Sequence, residues 1–419
     1  MLDIKFIREH SELIKEAARK KRINFDVEKL IEIDDRRLKL LKEVEEMRAK
    51  QNTASDKIAQ MSGGERQSAI DDVKKLKEEL GISEDALKIV EKEWGDLMLF
   101  APNVPDPSVP EGESDADNVE VRKWGELPKF DFEPKGHIEL MEKLRLVDLE
   151  RGIKVGGFRG YFLKGDGARL SMALWNFALD KMTQKGFEPF IAPSLVKEEN
   201  LVGTGHFPKS KEDVYKTQDD LYLTGTAEIP MTNYFRDEIL QEEDLPKTYV
   251  AFSPCYRREA GSHGKDTKGI YRLHEFAKVE QFILCEADHQ ESVKWHEELT
   301  RNAEEILQDL KIPYRVVVNC GGDIGQAHVK TYDIESWVPS EKKYRESHSS
   351  SYYHDFQSRR ANIRYRTKDG KILFPHTLNN TAIATPRILI ALLENYQQKD
   401  GTVIVPEVLQ KYLGKDLIS

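Results

Sequence analysis

Cysteine is scarce in this sequence: Cys255, Cys285 and Cys320 are the only three, and none forms a CxxC pair. That usage supplies neither a disulfide framework nor structural zinc ligands, and it fits a reducing compartment. No apolar run reaches the roughly 18 residues that a membrane-spanning helix needs, so no membrane partner is expected. The opening Met1-Leu2-Asp3-Ile4-Lys5-Phe6 lacks a basic stretch leading into an apolar core. No secretory signal is read there, and a cytoplasmic location is expected. An excess of positive charge is missing too: the formal net charge is -10. This argues against indiscriminate nucleic-acid binding, leaves DNA out as a partner and makes any RNA contact local. There is no GxGxxG opening a helix after a strand and no GxxxxGK(S/T) loop, which excludes the Rossmann and P-loop routes to nucleotide binding.

What is present is a charge-rich globular composition, 39% hydrophobic and 33% charged, over a length that predicts about two to three domains. Residues 1 to about 26 read as a short helical lead. From Asp26 to Met61 the apolar positions Leu30, Ile33, Leu41, Val44, Met47, Ile58 and Met61 fall near one stripe, predicting a long helix. Ser62-Gly63-Gly64 breaks it. Val73, Leu76, Leu80, Leu87, Val90, Trp94 and Leu97 then keep the three-four step of a coiled-coil seam. Two helices of this length make an antiparallel arm roughly 50 Å long, at about 1.5 Å per residue. Such a seam also suits an ordinary helical hairpin or a dimerisation coil, and the interleaved lysines, arginines and acids also suit a solvated face. Four prolines between Pro102 and Pro110 end the arm. Two domains are therefore expected, 1–110 helical and 111–419 mixed. In the second, strands alternate with helices over 170–185, 291–310 and 388–396 without a regular βαβ rhythm, which predicts an α+β domain on an antiparallel sheet.

The densest chemistry lies in Cys255-Tyr256-Arg257-Arg258-Glu259-Ala260-Gly261-Ser262 and Tyr271-Arg272-Leu273-His274-Glu275-Phe276-Ala277-Lys278-Val279-Glu280. Two period-2 segments around a polar, glycine-containing turn predict a hairpin that presents cations, carboxylates and an aromatic on one surface. An arginine fork matches phosphate and carboxylate oxygens, so Arg257 facing Phe276 suits a nucleotide. Read alone, such pairs also suit surface ion pairing. The whole segment resembles motif 2 of the class II aminoacyl-tRNA synthetases and, within that class, the seryl-tRNA synthetases of bacterial type.

This resemblance runs over nearly the whole chain and implies site residues position by position. Arg257 would bridge the ATP α-phosphate and the amino-acid carboxylate, with Arg258 beside it and Glu259 at the adenine end. Leu273 and Phe276 would hold the adenine, and Glu280 would receive the serine hydroxyl. In Leu-Tyr-Leu-Thr-Gly-Thr-Ala-Glu-Ile-Pro, Thr226, Ala227 and Glu228 look like the serine-binding strand, Glu228 pairing with the substrate ammonium; alone, Thr226 and Glu228 merely share a strand face. Glu346, Ser347, His348 and Ser349 lie where the family places an ATP-binding strand, with Glu346 and Ser349 matching the positions that hold Mg²⁺. The family's Ile-Ser-Ser-Cys-Ser-Asn-Cys-Thr is here Ser-His-Ser-Ser-Ser-Tyr-Tyr-His, so the pocket floor differs. Leu378 to Arg387 looks like motif 3, with Thr381 touching serine and Arg387 the γ-phosphate. Asn380 and Pro386 replace family glycines, of which the first allows close approach. Gly186 to Pro193 resembles motif 1, which implies a homodimer.

The activity implied is formation of seryl-adenylate from L-serine and ATP, with Mg²⁺, then transfer to the 3′ end of tRNA(Ser) and, by the same resemblance, tRNA(Sec). Arg257 and Arg387 would be the catalytic residues, and the arm would grip the tRNA. Two other readings remain open to the sequence: a paralogue that adenylates a small amino acid for another acceptor, and an inactive RNA-binding homologue. The arm weighs against the first. Arg257, Glu259, Glu346 and Arg387 weigh against the second.

Overall fold

The computed structural model describes every residue except 262, 263 and 265. Ser262, which closes the first quoted motif, lies outside the described residues. The chain divides into two compact units. One comprises Leu2–Arg19 and Ile23–Pro102; the other comprises Met1, Lys20–Arg22 and Asn103–Ser419.

In the first unit, two short helices, Ile4–Glu9 and Ser11–Lys20, precede α1 (Val27–Ala59) and α2 (Gly64–Met98). Asp26 starts α1 by accepting the Lys29 N–H, which satisfies one of the orphan donors of a helix N-terminus. The two long helices form an antiparallel hairpin whose seam is Val44, Leu80 and Leu87, packed with Leu40, Leu41 and Met47. Arg37 lies 4.7 Å over the Trp94 ring, and Arg48 reaches Glu84 at 2.6 Å. No residue between Val44 and Leu80 is buried. The distal half of the arm is therefore held by helix propensity and local pairs, not by a core.

The second unit is built on one eight-stranded sheet. Its strands are β1 (Val119–Trp124), β2 (Glu188–Ile191), β3 (Lys247–Tyr256), β4 (Glu275–Cys285), β5 (Tyr314–Val318), β6 (Lys330–Val338), β7 (Lys343–Tyr352) and β8 (His376–Thr385). They lie in the order β1-β5-β6-β7-β8-β4-β3-β2. Neighbours run antiparallel except β2, which is parallel to β3. Helices α3 (Asp166–Gln184), α4 (Glu228–Thr232), α5 (His289–Asp309), α6 (Phe356–Ala361) and α7 (Arg387–Tyr396) surround it. The expected start of α3 at Leu170 moves to Asp166, because a helix begins at its polar first turn and not at its first apolar residue.

Strand alternation sorts the side chains. Val279 and Ile283 of β4, Ile383 of β8 and Ile334 of β6 face Leu170 and Leu174 of α3, Leu299 and Ile306 of α5, and Ile388 and Leu392 of α7 in one buried cluster. Each such side chain contributes roughly 1.5–3 kcal/mol on burial, so this layer holds the sheet rigid. The intervening residues Phe276, Lys278 and Glu280 of β4 point to the other face and line a cavity, and on β8 an irregularity between Thr381 and Ile383 lets Asn379 and Thr381 join them.

Candidate active site

The cavity lies over the central strands and holds about 180 Å³. It brings together Thr226, Glu228, Arg257, Glu259, Leu273 and Phe276 with Glu280, Thr381 and Arg387, and adds Glu346, Ser347, His348 and Ser349 from β7. Two expected residues are not among them. Arg258 turns away, donating to the Glu212 carbonyl at 2.9 Å, and Ala227 is buried in an apolar cluster behind the site. Adjacent residues on an extended chain point to opposite sides, which is why Arg257 and Arg258 part company.

Arg257 follows the end of β3, its N–H bonded to the His274 carbonyl at 2.9 Å. The connection from β3 to β4 runs over 257–274, much longer than a tight hairpin turn. The guanidinium lies 5.2 Å over the Phe276 ring and donates to the Gly225 carbonyl at 3.3 Å. A Cβ at Gly225 would meet the Arg257 side chain at 3.1 Å, so this glycine permits the approach. Glu259 sits in the left-handed region, φ 54°, and accepts from Arg272 at 3.0 Å with Arg159 at 3.6 Å.

Arg387, the first residue of α7, pairs with Glu346 Oε1 at 2.9 Å. Tyr271 packs against two guanidiniums, that of Arg387 at 4.7 Å and that of Arg345 at 3.8 Å, and donates to the Glu346 carbonyl at 2.9 Å. Burial alone would raise the Glu346 pKa, but the charges of Arg387 and Arg257 outweigh it and hold the group below its ordinary value. Across the ladder Asp333 is the partner of Ser349, and burial followed by the Glu346 charge pushes its carboxyl well above the usual range.

The expected strand at Thr226–Glu228 is corrected. The strand is only Tyr222–Leu223, and Glu228 opens the short helix α4. Thr226 Oγ1 accepts the Glu228 N–H at 3.2 Å, and Pro230 falls in the first helical turn, where its missing N–H costs nothing. Glu228 Oε1 accepts from Gln357 at 2.8 Å. Glu280 pairs with Lys278 at 2.5 Å, and Thr381 donates to the same Oε2 at 3.4 Å. Asn380 does not crowd the cavity: its side chain lies on the opposite face, accepting from Gln281 at 2.6 Å. Ser347 directs its hydroxyl to the Ile334 carbonyl and to Ser336, and His348, pushed down to about 4 by burial, contacts Ser347 at 2.8 Å.

Sequence reasoning missed several lining residues. Lys278, Arg272 and Tyr271 lie within the segments already singled out, and the period-2 rule would put Lys278 on the face of Phe276 and Glu280. His206 and His328 come from irregular segments that carry no periodic signal. His206 contacts Thr204 Oγ1 at 2.8 Å, His328 contacts the Tyr353 hydroxyl at 3.3 Å, and burial lowers both imidazoles.

This sheet, with Arg257 and Arg387 lining one cavity, defines a class II aminoacyl-tRNA synthetase fold. Residues 212–396 match the class II tRNA synthetase core domain of the G, H, P, S and T group, and residues 1–105 match the seryl-tRNA synthetase N-terminal domain. A serine–tRNA ligase of Deinococcus radiodurans is 49% identical over 99% of this chain and 98% of its own. The seryl-tRNA synthetase of Pyrococcus horikoshii, solved with ATP, superposes with a TM-score of 0.91 at 40% identity, covering 100% of this chain and 99% of that one. The cytoplasmic serine–tRNA ligase of Naegleria fowleri, solved with AMP, gives 0.88 at 34% identity over 100% and 99%. The chain belongs to the seryl-tRNA synthetase family.

Proposed function

We propose that this chain activates L-serine with ATP and transfers the seryl group to the 3′ end of tRNA(Ser). The observation that carries the reading is one cavity lined by two cations, Arg257 and Arg387, an aromatic ring, Phe276, and two carboxylates, Glu228 and Glu280. Adenine stacks on Phe276, and Glu259 and Leu273 border it. Arg257 holds the α-phosphate and the serine carboxylate together, and Arg387 takes the γ-phosphate. Glu228 receives the substrate ammonium, and Glu280 with Thr381 receives the hydroxyl. The serine carboxylate oxygen attacks the α-phosphorus, the bond to the β-phosphate oxygen breaks, and pyrophosphate leaves. The terminal ribose hydroxyl of tRNA then attacks the seryl carbonyl carbon and AMP departs. Rate acceleration comes from alignment and fixed positive charge, with no nucleophilic side chain.

Glu346 and Ser349 offer oxygen ligands, and Asp333 is the ladder partner of Ser349, which fits a hard divalent cation such as Mg²⁺. Among the described residues no three His, Cys, Asp or Glu side chains surround one point, so phosphate oxygens and water would complete the shell. When bound, that ion would neutralise phosphate charge.

Residues 1–110 form the tRNA-binding domain and 111–419 the catalytic one. The exposed Lys50, Lys57, Arg66, Lys74 and Lys75 supply local positive charge for tRNA phosphates on an otherwise acidic protein. A homodimer is supported by exposed apolar side chains at Ile153, Val155, Phe158, Met172 and Ile191, the last on the edge strand β2. Among the described residues no helix is long and apolar enough to cross a membrane, and we place the protein in the cytoplasm. The test is amino-acid-dependent ATP–pyrophosphate exchange with serine, threonine, alanine and glycine. Exchange with serine alone is expected; exchange with another amino acid, or with none, would overturn the assignment.

A further inference from the structure

The amino-acid end of the cavity contains two carboxylates that are treated differently. Lys278 and Glu280 stand two apart on β4, both side chains under a tenth exposed, with Nζ 2.5 Å from Oε2. Thr381, directly across the ladder on β8, donates to that same oxygen at 3.4 Å. Glu228 has only neutral donors: the Gln357 amide at 2.8 Å reaches its Oε1. Among the described residues no lysine, arginine or histidine nitrogen is within ion-pairing distance of Glu228.

An α-amino acid entering this cavity brings one ammonium, and two carboxylates compete for it. We propose that Lys278 settles the competition: by occupying Glu280 it leaves Glu228 as the carboxylate that takes the α-ammonium, and so orients the substrate and rejects side chains bearing an ammonium of their own. This rests on the serine reading above. It deepens that reading by assigning specificity to a residue that touches Glu280 through its charge.

Charge balance supports the assignment. Glu228 and Glu280 face Arg257 and Lys278, so the unliganded set sums to zero and accepts a zwitterion without net change. Burial is the leading influence on Glu280 and raises its pKa, and Glu228 adds a little to the rise; Lys278 is the leading opposing influence, with Arg257 contributing less. Removal of Lys278 leaves a buried carboxylate that either takes a proton or captures a cation. A protonated Glu280 no longer serves as a pure acceptor for the serine hydroxyl. An ionised one welcomes the ammonium of 2,3-diaminopropionate, which carries that group where serine carries its hydroxyl.

The experiment is ATP–pyrophosphate exchange with serine and with 2,3-diaminopropionate, on the full chain and on Lys278→Met, Lys278→Gln and Lys278→Arg. The neutral variants are expected to lose at least about tenfold in kcat/KM for serine and to gain at least about tenfold in the diaminopropionate-to-serine ratio, a selectivity of the size one buried polar contact gives. The KM for ATP should change less than about twofold if the contact is confined to the amino-acid end. Lys278→Arg should restore the parental ratio. An unchanged ratio in a neutral variant that still exchanges serine overturns the proposal. If neither neutral variant folds, the unaltered chain decides: diaminopropionate should fail to inhibit serine exchange, and inhibition as strong as serine's own binding overturns it. Absence of serine-dependent exchange in the unaltered chain counts against the functional reading instead.

Discussion

Arg387 and Glu346 hold each other at 2.9 Å inside the cavity, although the function proposed above gives one a phosphate and the other a divalent cation. Each ligand must therefore displace the partner of the other. ATP drawing Arg387 away removes the leading positive charge beside Glu346, which favours the cation; the cation, in turn, frees Arg387 for phosphate. Magnesium should tighten ATP binding at least about tenfold, within the usual range of site-to-site coupling. In Glu346→Gln the effect should fall below about twofold, since the carboxylate on which the coupling depends is gone. Calorimetric titration of ATP with and without magnesium reads both values; equal magnesium dependence in the two proteins would remove the coupling argument.

The sequence made the clamp legible because its chemistry is contiguous. Arg257, Phe276 and Glu280 sit in segments whose period-2 pattern survives in β3 and β4, and the arm's heptad-like stripe survives in Val44, Leu80 and Leu87. Three things were not legible. The local turn at Gly225 and Pro230 converts an expected strand into α4, because the close approach of Arg257 is a long-range contact. The face to which Asn380 points depends on register against Gln281 of β4. His206 and His328 reach the cavity from irregular segments, where placement is set by tertiary contacts and no local pattern announces it.

The arm makes a separable prediction. Between Val44 and Leu80 it buries nothing, so shortening it removes no core. Deletion of residues 55–75 with a short glycine closure should leave ATP–pyrophosphate exchange within about twofold of the parent, as expected for a change outside the unit that carries the cavity. Aminoacylation of tRNA(Ser) should fall by at least about a hundredfold in kcat/KM, the cost of losing several phosphate contacts. Equal loss of both activities would assign the arm a structural role only.

Edge strand β2 offers a test of assembly. Ile191 is 87% exposed and Val155 74%, apolar side chains that a partner chain would cover. Ile191→Asp would bury a charge in any interface formed there, at a cost of several kcal/mol per ion, about the scale needed to split a modest dimer. Sedimentation should give two chains per particle for the parent and one for the variant. A parent that sediments as one chain would show that these side chains serve something else.

Acid stability should trace to imidazoles packed beside the sheet. His289 and His354 are in contact at 3.1 Å, and the His354 and His376 rings are 4.8 Å apart. Burial first, then the neighbouring His376 and His289, pushes His354 down to about 3, and burial pushes His376 down to about 4. Asp106, Asp288 and Asp355 face the group and oppose the shift. A histidine whose folded pKa lies below its unfolded value of about 6.5 binds fewer protons folded than unfolded in that interval. Its contribution is complete above about pH 6.5 and is lost as pH falls towards the folded value. His354→Asn removes one such group while suiting the left-handed backbone there, φ 50°. At pH 7 the change should cost little, about 1 kcal/mol or less. Between pH 6 and pH 4 the variant should lose stability less steeply than the parent, by up to about 1.4 kcal/mol per pH unit. Urea unfolding at pH 7, 6, 5 and 4.5 measures the difference, and parallel curves for the two proteins would exclude His354 as the titrating group.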